Sequence, residues 1–293
     1  MSELKLSLVI PCRDRNDPKL AELLKSIEAQ DFPKDEMETL VITEGTSESA
    51  KAIGIRRAKG EVIGILASDN ELMNPLTLSW SFRMANEHGS SAPAYYYYKK
   101  DDDILNRYFS LIGGNDPLSF YMRKNDRWSY IGHHGNESGS IGDNGFFIKK
   151  NLIEKTDIDN YYHVDNALEA CGSVFSSVGT DIWHKTGGNI FKFFAKRYRY
   201  GLQHAFNKNR RWHLVEKTPK DIGRLIWFIF VTLTVMEPLY LSIRGFLKIR
   251  DVAWFFHWPV CAMTVFTYGV LIIHLFLKRL SQSLFALMAA QRA

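Results

Sequence analysis

Cysteine is scarce: Cys12, Cys171 and Cys261 are the only three in 293 residues. An odd number, widely spaced and without metal-ligand pattern, excludes a disulfide framework or a zinc site as the organising principle and leaves packed thiols. A leader is also missing, because Met1-Ser2-Glu3-Leu4-Lys5 has no charged stretch followed by an apolar one and runs straight into a strand pattern. No cleavable secretory signal is therefore expected, and the polar part of the chain is expected in the cytoplasm. There is no internal repeat and no low-complexity tract. Neither sign of charge dominates: 37 Lys and Arg face 32 Asp and Glu, for a net +5. With no reader motif beside it, that surplus does not point to nucleic acid as a partner. Up to about Lys220 the chain is polar and mixed, without a membrane-length apolar run.

What is present is unevenly distributed. The hydrophobic share is 46%, and after Gly223 it concentrates in two stretches, Leu225 to Ile243 and Val252 to Leu277, separated by Arg244, Lys248 and Arg250. Each approaches or exceeds the roughly 20 apolar residues that cross a hydrocarbon core, so two transmembrane helices are expected; two buried helices of a soluble domain are the alternative. Glu237-Pro238 sits inside the first stretch and is costly wherever it faces lipid. Lys192, Lys196, Arg197, Arg199, Lys208, Arg210, Arg211, Lys217, Lys220 and Arg224 form a basic run ahead of these stretches. Positive charge beside a span holds that side in the cytoplasm and attracts anionic headgroups. The expectation is a multi-pass protein of the cell membrane with a cytoplasmic catalytic domain, Arg244 to Asp251 being a short loop on the far side. Between Asn189 and Phe206, Ile190, Phe191, Phe194, Tyr198, Leu202, Ala205 and Phe206 recur at helical spacing among cations. Such a helix suits the membrane interface, which its place just before the spans favours; an amphipathic helix packed on the sheet is the alternative.

The first two thirds alternate strand and helix patterns. Strands are expected at Leu4 to Ile10, Glu38 to Thr43, Glu61 to Leu66 and Ala94 to Tyr98, and helices at Leu20 to Gln30, Ser47 to Lys59 and Pro75 to Glu87. Alternation of this kind implies an α/β fold with a mostly parallel sheet. Asp101 to Trp128 reads as irregular, with Gly113 to Pro117 a breaker, and His133 to Asp143 reads as a loop. The third strand runs directly into Ser68, Asp69 and Glu71. Carboxylates at the carboxyl end of a buried strand are where open α/β sheets place a metal and a nucleotide.

In their order along the chain, Ser7-Leu8-Val9-Ile10-Pro11-Cys12-Arg13-Asp14-Arg15, Thr39 to Ser47, Ile53 to Glu61 and Ala67-Ser68-Asp69 resemble the nucleotide-sugar half of family 2 glycosyltransferases, which have the GT-A, Rossmann-like fold. Membership of the membrane-anchored kind, related to polyprenyl- and dolichyl-phosphate sugar synthases, is what the C-terminal stretches add. The resemblance implies that Asp69 matches the second acid of an Asp-x-Asp pattern whose first acid is absent here. It implies that Asp69 and Glu71 hold Mn2+ or Mg2+, hard cations suited to oxygen ligands. A strand-end cap is the other reading of Asp69.

The same resemblance assigns donor contacts to Pro11, Arg13, Asp14, Glu44, Lys51, Ser68 and Asp69. Ala52 stands where asparagine is usual. Tyr161-Tyr162-His163-Val164-Asp165-Asn166 resembles the acidic motif whose aspartate is the general base, which maps onto Asp165; a helix cap is its bland counterpart. Gly142 to Lys150 resembles the glycine-rich segment beside the sugar, with Asp143, Asn144 and Gly145 toward the acceptor or sugar. Lys208-Asn209-Arg210-Arg211-Trp212 resembles the Gln-x-x-Arg-Trp motif with lysine for glutamine, and offers Arg211 and Trp212 to the diphosphate and acceptor.

Taken together, the expectation is a GT-A glycosyltransferase domain at residues 1–207, a basic interfacial connector at 208–222, a two-helix transmembrane hairpin at 223–280 and a tail at 281–293. The implied activity is inverting transfer of a hexose, with mannose among the candidates, from a UDP- or GDP-sugar to a membrane lipid such as a polyprenyl phosphate or a glycolipid. The partners are then the nucleotide sugar, the lipid acceptor and the membrane, and a homo-oligomer is compatible with the pattern. Two rivals differ in class: a non-catalytic membrane-bound nucleotide-sugar-binding protein, motivated by the lost acid and Ala52, and a processive polysaccharide synthase, for which two spans are few.

Overall fold

The computed structural model describes residues 4–93, 96–112, 117–122, 133–134, 144–156, 158, 175–178, 182–185, 188–206 and 219–290. Its strands are Leu6–Pro11 (β1), Met37–Ile42 (β2), Val62–Ile65 (β3), Asn70–Leu72 (β4), Ser90–Pro93 (β5), His133–His134 (β6), Phe146–Lys149 (β7), Phe175–Val178 (β8) and Ile182–His184 (β9). Its α-helices are Pro18–Glu28 (α1), Ser47–Arg57 (α2), Thr77–His88 (α3), Ile104–Ile112 (α4), Pro117–Met122 (α5), Lys150–Ile153 (α6), Ile190–Phe206 (α7), Pro219–Thr234 (α8), Met236–Lys248 (α9) and His257–Ala290 (α10). Seven strands form one sheet in the order β2-β1-β3-β7-β5-β8-β6, and β4 pairs with β9 in a second, two-stranded sheet. β2, β1, β3, β5 and β8 run one way, while β7 and β6 are reversed. The sheet is thus mostly parallel, as the alternation implies.

β1 is apolar apart from Ser7, whose hydroxyl is hydrogen-bonded, because both of its faces are covered. Leu6, Leu8 and Ile10 join Leu20, Leu23 and Ile27 of α1 and Leu78 and Ala85 of α3 on one side. Val9, with Ile63 and Ile65 of β3, meets Ala52 and Ile55 of α2 on the other. Local chemistry sets the helix starts. The Asp17 carboxylate accepts from the Lys19 amide at 3.0 Å ahead of Pro18 in α1, and Thr46 and Ser49 form a reciprocal capping box on α2.

Two expected elements move. The strand expected at Ala94 to Tyr98 lies earlier, as β5, where Ser90 and Ser91 are fully buried and the Ser91 hydroxyl donates to the Ser81 carbonyl at 2.9 Å; satisfied serines do not read as a buried strand. Within the stretch expected to be irregular, α4 buries Leu105, Tyr108, Phe109 and Ile112, and Asp103 caps it by accepting from the amides of Leu105 and Asn106. The helix expected across Asn189 to Phe206 is present as α7, but Phe193 and Phe194 turn inward and Phe191 is 72% exposed. Cys12 and Cys261 are buried and form no disulfide among the described residues; Cys171 lies outside the described residues.

The C-terminal part differs more from expectation. Leu225 to Ile243 is not one helix: α8 and α9 meet at Val235 with a bend of 82°. Pro238 explains the place, because its ring would collide with the Thr234 carbonyl of a continuous helix and it has no amide to donate. Val235 takes up the break at φ +65°. Val252–Ser283 is the one helix among the described residues long and apolar enough to cross a membrane by itself. Its first turn, a 3-10 helix at Val252–Phe256, inserts Ala253 and Trp254 into a core with Leu105, Tyr108, Phe109, Phe193 and Phe194. The preceding Asp251, nearly fully buried, lies 3.2 Å from Arg107 of α4 and accepts from the Tyr98 hydroxyl. Burial and this hydrogen bond to an anion push the Tyr98 phenol up to about 12. The segment expected as a far-side loop is therefore pinned to the α/β domain.

Removing the Trp254 ring leaves a large cavity in that shared core. Trp254→Ala should cost about 3–5 kcal/mol of stability, measured by denaturant unfolding in detergent and followed by a fluorescence probe on α4. An unchanged midpoint would show that the C-terminal helices are not part of the same core.

Candidate functional site

The parallel order β2-β1-β3 sets three carboxyl ends side by side, the place where open α/β sheets bind ligands. Pro11, Arg13 and Asp14 follow β1, Glu44 follows β2, and Ser68 and Asp69 follow β3. Because β7 runs antiparallel beside β3, with Ile65 opposite Phe146, its leading residues Asn144 and Gly145 arrive at the same edge. The Gly145 amide donates to the Ile65 carbonyl at 2.9 Å. Gly145 has φ +82°, and a Cβ there would lie 2.1 Å from Ile182, so only glycine fits without displacement.

Asp69 is half-buried, its Oδ1 3.4 Å from Nε2 of His184. β4 pairs with β9 so that Asn70 faces His184, which brings the histidine to the acid. The His184 ring packs on Tyr96 with centroids 4.9 Å apart, and the Tyr96 hydroxyl accepts from the Asn144 side-chain amide at 3.0 Å. Burial pushes the Asp69 carboxyl up, but the hydrogen bond and charge of His184, together with Lys19 and Lys196, outweigh it and hold the group below its ordinary value. The net effect is an anion kept ionised in a half-buried place. Two buried polar atoms beside it, Asn70 Nδ2 and His184 Nδ1, have no hydrogen-bond partner among the described residues. Groups left open in this way suit a polar ligand that arrives from outside.

Glu71, two residues on, points into a different network. Its carboxylate pairs with Lys99 at 2.6 Å, Lys99 lies 4.0 Å over the Trp183 ring, and Trp183 donates to Asp102 at 2.6 Å. Of the other expected donor residues, Arg13 and Asp14 are exposed at the edge, and Asp14 accepts from the Asn16 amide at 2.9 Å. Glu44 is held by both Arg57 nitrogens, at 3.2 and 3.0 Å, and Lys51 is buried. Asp165, Asp143, Arg211 and Trp212 lie outside the described residues. Among the described residues no three His, Cys, Asp or Glu side chains gather as a metal cage. A cation carried with a diphosphate keeps phosphate oxygens as ligands and takes only one or two protein carboxylates; Asp69 and the His184 imidazole are the oxygen and nitrogen donors that stand together at this edge.

His184, Tyr96 and Lys19 were not singled out from the sequence, and Lys196 reads there as part of the basic run beside the membrane and not as a site residue. They come from four separate segments, and only the β4–β9 pairing and the approach of α7 reveal them. Ile182-Trp183-His184 is a short apolar run ending in a histidine, a weak signal that gains meaning only beside Asn70.

The structure matches the mannosyltransferase PcManGT from Pyrobaculum calidifontis, solved in complex with GDP-Man and Mn2+, with a TM-score of 0.52 and 12% identity over 92% of this chain and 88% of that one. The fold is similar to that of a glycosyltransferase. TarS 1-349 of S. aureus matches more loosely, at a TM-score of 0.42 and 12% identity over 91% of this chain and 92% of that one, too low to carry weight. No protein-family model and no curated protein matches the chain.

His184→Ala leaves the burial of Asp69 less opposed, so its carboxyl should titrate higher. The sign for stability follows from a depressed acid: the contribution of Asp69 is complete above the ordinary carboxylate range and is lost as pH falls through its folded value. Carboxyl-carbon NMR of aspartate-labelled protein with EDTA reads the shift directly; an unmoved Asp69 resonance in the variant would remove His184 from this role.

Proposed function

We propose that the protein is a membrane-associated inverting glycosyltransferase that moves a hexose from a UDP- or GDP-sugar to a lipid acceptor such as a polyprenyl phosphate or a glycolipid. The observation that carries this reading is the convergence of Asp69, His184, Asn144 and Gly145 on the edge formed by the first three strands, in a fold similar to that of a mannosyltransferase solved with GDP-Man and Mn2+. The apolar C-terminal helices supply the membrane part of the reading.

In this scheme the nucleotide lies along the ends of β1 and β2, within reach of Pro11, Arg13, Asp14, Glu44 and Lys51. The diphosphate comes to Ser68 and Asp69, with Lys19 and Lys196 as fixed positive charges nearby and Arg211 and Trp212 closing from the connector. Asp69 and His184 would hold Mn2+ or Mg2+, with Glu71 a further donor if it leaves Lys99; the cation supplies charge neutralisation for the departing diphosphate. Asn144 and the open backbone at Gly145 face the sugar, and Asp143 belongs to the same segment. Asp165 takes the proton of the acceptor hydroxyl as its oxygen attacks the anomeric carbon from the face opposite the leaving group. A phosphate acceptor arrives already ionised and asks less of Asp165.

Thermal-shift screening of UDP- and GDP-sugars with and without Mn2+ identifies the donor. Asp69→Asn should abolish the metal-dependent part of the protection, because a neutral amide does not replace an anionic ligand; undiminished protection would sink the metal assignment. Asp165→Asn should keep donor affinity and lower turnover by at least about 100-fold. Near-normal turnover would transfer the base role to the acceptor phosphate or another residue, and donor binding without transfer to any lipid extract in the native protein would favour the non-catalytic binder.

A further inference from the structure

We propose that the C-terminal helices form a monotopic docking surface for an anionic phospholipid leaflet, entering and leaving the membrane on the catalytic side, with no segment crossing it. This deepens the membrane association in the reading above and rests on it. Both feet of the bent pair are tied to the α/β domain. Phe228 of α8 shares a core with Leu118 of α5 and packs on Tyr121, the ring centroids 4.9 Å apart. At the other foot, Asp251 is paired with Arg107, and Trp254 is fully buried against α4 and α7. A chain that starts and ends on one face has crossed an even number of times, and arms of 16 and 13 residues are each too short to cross alone.

α10 is held to the same face. His257 bonds the Tyr108 hydroxyl at 2.9 Å, and Val260 shares the core of α4 and α7. Leu271 packs so closely on Gly201 that a Cβ there would sit 2.3 Å away, and His274 bonds the Tyr198 hydroxyl at 2.6 Å. From His257 to His274 the helix therefore travels along α7, which carries Lys192, Lys196, Arg197 and Arg199. A helix with four cations in two turns does not accompany α10 through hydrocarbon. Beyond His274 only three apolar residues remain before Lys278-Arg279, too few to cross.

The surface that remains has the chemistry of a leaflet partner. At the bend, Leu233 and Met236 are 72% and 73% exposed. The acid near the tip, Glu237, is half-buried and hydrogen-bonded to the Trp227 side chain. Cations stand at both feet and not at the tip: Lys220 and Arg224 open α8, while Arg244, Lys248 and Arg250 close α9. The apolar parts of the two arms, about 15 and about 12 Å long at 1.5 Å per residue, are well short of the roughly 30 Å of a hydrocarbon core and stay within one leaflet.

Cysteine labelling in sealed inverted vesicles decides the topology. In a full-length chain lacking its native cysteines, Glu28→Cys reports the catalytic side, Arg250→Cys the loop and Ser283→Cys the end of α10, with an impermeant maleimide as the probe. All three should label on the same side. Arg250→Cys on the opposite side would restore the spanning hairpin, and Ser283→Cys alone on the opposite side would make α10 a span; either overturns the proposal. Leu233→Asp with Met236→Asp, at exposed positions that the fold does not need, should reduce co-sedimentation with phosphatidylcholine–phosphatidylglycerol vesicles at least tenfold while donor-induced thermal protection persists. Undiminished binding to those vesicles would contradict the wedge. Loss of donor protection in the native chain, with vesicle binding retained, would instead fail the glycosyltransferase reading and leave this one standing.

Discussion

A strand that is apolar on both faces must be covered on both faces, and most of this molecule follows from meeting that demand for β1. Helices α1 and α3 cover one side and α2 the other, and right-handed crossovers then leave the loops after β1, β2 and β3 on one edge. The reversed strand β7 delivers Asn144 and Gly145 to that edge from the opposite direction. The chemistry gathered there is inherited from the packing: Asp69 is an anion in a half-buried place because a buried strand ends at it, and His184 keeps it ionised because β9 is paired across from Asn70.

The second dependence runs from the site outward. α7 carries Lys196, whose charge helps hold the Asp69 carboxyl below its ordinary value, and receives Leu271 and His274 of α10. One helix thus links the electrostatics of Asp69 to the packing of the C-terminal helices. Asp251, Arg107 and Tyr98 fix that geometry at the other end. A buried anion with both a cation and a phenol on it is costly to separate.

What could be read from residue order was what local patterning controls. β1, β2 and β3, and α1, α2 and α3, lie within a few residues of their expected bounds because apolar period, caps and breakers agree there. The position of Asp69 at the end of β3 follows from the same pattern. α4 was legible in principle, since Leu105, Tyr108, Phe109 and Ile112 have helical spacing behind the cap of Asp103, but the polar residues around it masked the signal. β5 was hidden because Ser90 and Ser91 look exposed in sequence and are buried by satisfied hydrogen bonds. The bend at Val235 was announced by Pro238, whose geometric consequence outweighed the apolar length of the stretch. His184 was out of reach, because its partner is 115 positions away in the chain and only strand pairing joins them.

The central claim is transfer of a sugar from a nucleotide to a membrane lipid. Its most direct measurement is partition of label between aqueous and organic phases after the purified protein, Mn2+ and a total lipid extract are incubated with GDP- and UDP-sugars carrying radiolabelled hexose. At least one donor should place its hexose in the organic phase with release of the nucleoside diphosphate, and this should cease in Asp69→Asn. Label that stays entirely in the aqueous phase for every donor, as free sugar or as a polymer, would contradict it.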